Sequence, residues 1–307
     1  MKGTKATVLT LAEKCKNILA SNWQGTLHTI KADAKGSKED IYTSKVKYIL
    51  LGGKPYIWVP EKEMHNVNII VDERSSFSVA SPFPAPLASL LKSISKLPAR
   101  VSLTGNTETL KSEKVQLATE SLKEVIQCER SGFSKFSYTV SSVLSSNHIL
   151  TSWCENLKEL LDGTEKYVVY KFNLRSCMFI DGYGGPYEVD LKDIEKSKAD
   201  LLAPFSAKLI DGINQSEARR RALVLFCFVY LNANAKDAYM LSVDRKGFVV
   251  LAKISDSVIK DGISEYQWKE LRFTFHEDAL DVENFCRLLV EMEEEAIQKV
   301  SSYSGLA

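Results

Sequence analysis

The chain has 307 residues, of which 45% are hydrophobic and 26% charged, enough apolar material for one large domain or two smaller ones. Its 40 Lys and Arg oppose 39 Asp and Glu, so the whole chain has no electrostatic drive toward nucleic acid or an anionic membrane. No apolar run approaches the roughly 20 residues of a membrane span, and the six cysteines, at 15, 128, 154, 177, 227 and 286, form no CxxC pair of the zinc or redox kind.

Scattered cysteines suit a reducing compartment, where most would be buried core residues. Residues 1–19 contain no secretory apolar core and no arginine. The expectation is a soluble, intracellular protein of the cytosol or a plastid.

In chain order, residues 8–21 read as an amphipathic helix and 25–30 as a short strand. The Lys, Gly, Ser and Asp of 31–40 make a loop. Residues 41–51 alternate as a strand, Gly52-Gly53-Lys54-Pro55 turns the chain, and 56–59 begin the next strand, a hairpin signature. Residues 60–70 read as helical and 76–80 as a strand. The prolines of 82–86 suggest a rigid, extended linker. A strand over 100–104 ends at Gly105, and a charged helix covers 108–129. The serine-rich stretch 131–146 reads as a weakly structured connection or a poorly patterned strand. A helix at 151–162 precedes strands over 167–174 and 178–180, and the glycines of Asp181–Pro186 mark a tight bend.

The C-terminal part has a separate rhythm. A helix at 215–231 contains the longest apolar run, 222–231, which is the length of a buried helix. Strands at about 238–244 and 247–254 turn at Arg245-Lys246. A further strand lies near 268–275, and a helix over 281–300 closes the chain. Short strands with interspersed helices and no regular βαβ alternation predict an α+β fold, with an antiparallel sheet or barrel plus a smaller α/β unit. No internal repeat is visible.

Local chemistry is sparse. The four histidines, His28, His65, His148 and His276, include no pair at metal-binding helical spacing. The Asp181–Pro186 turn lacks a P-loop's Lys-Ser/Thr ending. Arg219-Arg220-Arg221 reads either as a phosphate or acidic-partner site or as a wet helix face whose stems cover apolar neighbours.

An ordered series of segments resembles a known superfamily. Gly25-Thr-Leu-His-Thr29 is similar to its first strand, Tyr42–Tyr48 with Gly53–Tyr56 to its hairpin, and Trp58–Ile69 to the turn that follows, with His65 and Asn68 in register. Asp72-Glu73-Arg74, Phe77-Ser-Val79 and Ala99–Gly105 continue the series, and Phe179–Gly184 with Ala199-Asp-Leu-Leu202 ends it. The chain thus resembles the FMN-binding split barrels, the pyridoxamine-phosphate-oxidase-like group, in the branch of the HugZ-type haem oxygenases. Tyr239–Phe248, Arg272-Phe273 and Val290–Met292 are similar to the small α/β domain that follows such barrels. At Ile213–Ala218, where that domain carries two histidines, this chain has none.

The resemblance implies a split-barrel domain over 1–190, with helices inserted at 107–165, and a small α/β domain over 205–307. It implies a homodimer with FMN or haem in the cleft between subunits. Carried over by position, the cofactor-binding candidates are Lys45, Lys47, Lys62, His65, Asn68, Arg74 and Arg100. The plain alternative is that the charges are solvated on a barrel surface and that His65 is a hydrogen-bonded structural residue. The absent histidines and the insertion favour a non-catalytic or weakly active binding or regulatory protein, in tetrapyrrole or flavin metabolism. Some plant relatives bind tetrapyrrole-pathway enzymes, so a protein partner is implied too. The alternative is an FMN- or haem-binding oxidoreductase or haem-degrading enzyme.

Overall fold

The computed structural model describes residues 8–32, 40–134, 140, 153–255 and 266–303. Among them, six strands close an antiparallel barrel. They are β1 (Gln24–Ile30), β2 (Ile41–Leu51), β3 (Lys54–Pro60), β4 (Arg74–Ala80), β5 (Arg100–Thr109) and β6 (Tyr167–Ile180). The sheet runs β3-β2-β1-β4-β5-β6 and is closed by β3 pairing with β6. A seventh strand, β7 (Pro186–Val189), extends β6.

The strands alternate because their sequences do. Leu27, Val46, Tyr48, Ile57, Val59, Phe77, Val79, Val101, Leu103 and Phe172 point inward and form one core. Gly25 belongs to that inward set, and a Cβ there would stand 2.3 Å from the Phe77 ring. Each barrel end is plugged by a helix. Helix α1 (Leu11–Ala20) begins with a Thr10–Glu13 capping box and contributes Cys15, Ile18 and Leu19 to the core. Helix α2 (Met64–Val71) lies at the other end, where His65, Asn68 and Ile69 are buried.

Helices α4 (Ser112–Ser134) and α5 (Trp153–Asp162) fall within the predicted insertion. They cover one part of the barrel's outside. Leu110, Leu122, Ile126 and Leu157 pack there on Ile49, Trp58 and Val169, which point outward from β2, β3 and β6. An apolar outer residue therefore sits where the chain supplies its own cover.

Beyond β7, α6 (Leu191–Lys196) leads through a 3₁₀ turn (Ala203–Phe205) to α7 (Ser206–Gln215) and α8 (Glu217–Leu231). A separate three-stranded sheet follows, ordered β10-β9-β8, from β8 (Ala235–Asp244), β9 (Gly247–Ser255) and β10 (Tyr266–Thr274). Helix α9 (Val282–Tyr303) closes the chain. This second core includes Leu223, Phe226, Met240, Phe248, Phe273, Phe285 and Leu289, and takes in Leu87 and Leu91 of α3 (Ala85–Ser93). Arg245, at the β8–β9 turn, reaches Glu13 of α1 at 2.7 Å and Asp200 at 3.3 Å.

Several boundaries differ from the sequence reading. The 82–86 segment is not a linker throughout. Pro84 caps α3 and Pro86 sits in its first turn, where a missing N–H costs nothing. Strand β5 runs on to Thr109, past an irregularity between Thr104 and Gly105, because β6 continues beside it to Tyr170. Residues 131–134 of the serine-rich stretch belong to α4. Its remainder, apart from Val140, lies outside the described residues. Strand β7 and helices α6 and α7 had no counterpart in the reading of local pattern. Among the described residues, no helix is long and apolar enough to cross a membrane. Cys15, Cys177, Cys227 and Cys286 are free and buried, and burial pushes the Cys227 and Cys286 thiols up to about 11 and about 12.

Candidate functional site

His65 sits under α2, against the inward side of β1 and β2. Asn68 accepts a hydrogen bond from the Ala32 amide at 2.9 Å, which fixes its Oδ1, and its Nδ2 donates to the Thr29 hydroxyl at 2.9 Å. Thr29 Oγ1 in turn lies 2.9 Å from His65 Nδ1. His65 Nε2 lies 3.1 Å from Ser44 Oγ, so in either neutral tautomer one ring nitrogen donates and the other accepts. The Tyr42 ring meets the imidazole edge-on at 4.7 Å. Burial holds the His65 pKa down to about 4; the charge of Glu63 opposes this and that of His28 adds to it. A neutral imidazole with both nitrogens engaged is a joint between strands and helix.

The other positions inferred from the resemblance are distributed. Lys47 forms a 2.6 Å ion pair with Glu159 of α5. Arg74 folds back on Asp72, with contacts of 2.6 and 2.9 Å. Lys62 is exposed ahead of α2. Lys45 and Arg100, both exposed, lie on the outside of the barrel. Arg100 pairs with Ala80 at the end of β4 opposite Arg74, so these two arginines stand about 20 Å apart along the strand. The structure therefore joins His65 to Asn68 through Thr29, and places Lys45 and Arg100 on the barrel's outer face, where Lys47 and Arg74 are taken up by Glu159 and Asp72.

That face was not visible from any single motif. Strand register aligns Thr43, His28, Ser76, Thr104 and Ser176 across β2, β1, β4, β5 and β6. The next row holds Lys45, Thr26, Ser78, Ser102 and Met178, and Arg100 follows one step further on. His28 lies between the Thr43 and Ser78 hydroxyls, at 2.9 and 3.3 Å, and Thr104 bonds Ser176 at 2.6 Å. Burial lowers the His28 pKa. Across these five strands the two rows contain hydroxyls, one imidazole, one lysine and one methionine, and Glu188 of β7 continues the second row beyond Met178. Nothing in the described chain covers them as α4 and α5 cover Ile49, Trp58 and Val169. Ile41, 68% exposed, continues the face, and α2 shows Met64, Val67, Ile70 and Val71 to solvent at the same barrel end. The sequence signal was present: hydroxyl residues recur at a spacing of two in β4 and β5, at Ser76 and Ser78 and at Ser102 and Thr104.

The motif departure at Ile213–Ala218 has a structural outcome. Ile213 is core, Asn214 straps β8 by bonds of 2.7 and 2.9 Å to Met240, and Ser216 caps α8. Asp244 and Arg272, from two segments of the resemblance, form a bidentate pair at 2.6 and 2.7 Å. Among the described residues no group of three or more His, Cys, Asp or Glu is placed to hold a metal ion.

No protein-family model matches the chain, and no curated protein matches its sequence. Solved structures do match. A haem-binding protein from Mycobacterium smegmatis, 20% identical, aligns over 95% of this chain and 99% of its own with a TM-score of 0.54. ChuZ of Campylobacter jejuni is 13% identical over 63% of this chain and 65% of its own, with a TM-score of 0.39. A protein of unknown function from Agrobacterium tumefaciens is 15% identical over 94% of this chain and all of its own, with a TM-score of 0.40. The mycobacterial likeness establishes fold, and the fold is the split barrel with a separate small sheet-and-helix unit; the other two carry no further argument.

Proposed function

We propose that this split barrel is a binding protein without catalysis of its own, a homodimer in the cytosol or a plastid that acts on a protein partner. One observation carries the reading. Of the seven positions where the resemblance would hold a cofactor, Lys47, His65, Asn68 and Arg74 are engaged by groups of the same chain. Their hydrogen bonds hold strands, helix and insertion together, and His65 offers no free lone pair to an iron. The uncovered outer face supports the dimer. An open, five-strand face with an exposed apolar border at Ile41, Ile70 and Val71 is surface that association would remove from water. The test is the absorbance of the purified protein with and without added haem and FMN. The reading expects neither a flavin spectrum nor a Soret band that saturates at one ligand per chain.

A second reading is that FMN or haem docks on the same outer face. Lys45 and Arg100 share it with the hydroxyls, donors that suit an anionic group. The mycobacterial structure of similar fold is described as haem-binding, which agrees with this reading. Its test is the Lys45→Ala/Arg100→Ala double variant, which would weaken ligand binding and leave the melting temperature unchanged.

A further inference from the structure

The Arg219–Arg221 run divides its work. Arg219 pairs with Glu293 of α9 and is structural. Arg220 and Arg221 instead face a groove between the first turns of α8 and the three-stranded sheet, with a volume of about 380 Å³. That volume lies within the range of small-molecule sites, roughly 300–1,000 Å³.

The groove holds four cations, Arg220, Arg221, Lys236 and Lys253, and two carboxylates, Glu217 and Asp237. Both carboxylates have partners. Glu217 pairs with Arg221 at 2.5 Å, and Asp237 stands 3.8 Å from Arg220. Arg220 is fixed, since it donates to the Tyr239 hydroxyl at 2.6 Å and lies 5.0 Å from that ring's centre. The ammonium groups of Lys236 and Lys253 converge on one ring, at 5.3 and 5.8 Å from the centre of Tyr266. Strand register sets Asp237, Lys253 and Trp268 side by side, and the Lys253 ammonium is 6.0 Å from the indole. An aromatic face attracts a cation but carries no net charge. The groove therefore keeps an excess of two positive charges beside an indole wall.

We propose that this groove binds a phosphomonoester with an aromatic or planar body. Lys236 and Lys253 hold the phosphate, and Arg221 turns onto it from Glu217, with which it shares an exposed and therefore weak ion pair (79% and 70% exposed). Trp268 forms the wall for the organic part. Charge selects the class. A phosphomonoester carries close to two negative charges above its second pKa of about 6, matching the excess of two, whereas a carboxylate carries one. The proposal is independent of the barrel face.

The experiment is calorimetric titration of the full chain with phenyl phosphate, and with benzoate as the singly charged counterpart. Saturable binding of phenyl phosphate is expected, stronger than that of benzoate, and weaker at pH 5 than at pH 7.5. Lys236→Ala/Lys253→Ala is expected to lower affinity about tenfold or more, on the order of 1.4 kcal/mol, with an unchanged melting temperature. Lys45→Ala/Arg100→Ala, on the barrel, is expected to bind as the parent does. Absence of saturable binding, equal affinity in the groove variant, or loss of binding in the barrel variant instead would overturn the proposal. The first of these would leave the barrel reading intact.

Discussion

Thr29 and His65 are joined by a 2.9 Å hydrogen bond between Oγ1 and Nδ1. Asn68 donates to the same hydroxyl. With Ser44 at Nε2, both nitrogens of the neutral imidazole are engaged. His65→Ala takes a partner from the Thr29 and Ser44 hydroxyls, Thr29 keeping its bond from Asn68, and leaves a cavity beside α2. The expected cost is about 2–4 kcal/mol, seen as a lower melting temperature of a still-folded barrel. A variant that melts with the parent would show that the network contributes nothing.

The same residue sets a pH dependence. Its folded pKa is about 4, below the ordinary 6.5, because burial disfavours the imidazolium. Between these values the unfolded chain binds more protons than the folded one. The stabilising contribution is therefore fully present above pH 6.5, is lost as pH falls, and is gone near pH 4. Its full size is on the order of 3 kcal/mol. Denaturant midpoints measured from pH 7.5 to pH 4.5 should fall for the parent more steeply than for His65→Ala. Parallel slopes would remove His65 as the titrating group.

Gly247 opens β9 with φ of +146°, and a Cβ there would stand 2.1 Å from the Phe273 carbonyl oxygen. Gly247→Ala must move β10 away from β9 or break their pairing at Phe273–Thr274. The expected loss is about 3 kcal/mol or more, with amide exchange accelerated in β9 and β10. Parent-like protection there would contradict the strain at this turn.

Much of this architecture was legible in the sequence, for definable reasons. The β1–β4 strands and α2 follow from alternation and turn residues, and the ordered motifs gave the barrel. The Asp244–Arg272 pair sits where two quoted segments meet. Other features are set by tertiary context. Strand β5 extends into the predicted insertion because β6 lies beside it, which no local window reveals. The prolines of 82–86 suggested an extended linker, although two of them stand where a helix begins. The outer face required register: Thr43, Ser76 and Ser176 are far apart in sequence, and their strands bring them into one row. The positional carry-over likewise saw Lys47 and Arg74 as cations, while Glu159 and Asp72 appear beside them only in three dimensions.

If the uncovered barrel face joins two copies, charge placed in its centre should separate them. Ser78→Arg and Ser102→Arg pair directly across β4 and β5, so the double variant puts four like charges into a twofold interface. Light scattering should give a dimer for the parent at micromolar concentration and a monomer with unchanged circular dichroism for the variant. A parent that scatters as a monomer, or a variant that remains dimeric, would place the interface elsewhere or remove it.

The most direct measurement is an absorbance titration of the purified protein with haem and, separately, with FMN, run beside Lys45→Ala/Arg100→Ala. A binding protein in which Lys47, His65, Asn68 and Arg74 are engaged by its own side chains should show no saturable spectral change with either ligand at micromolar concentration, and the variant should behave identically. One ligand bound per chain, with a flavin or Soret spectrum that weakens in the variant, would contradict that account and establish the barrel's outer face as a cofactor site.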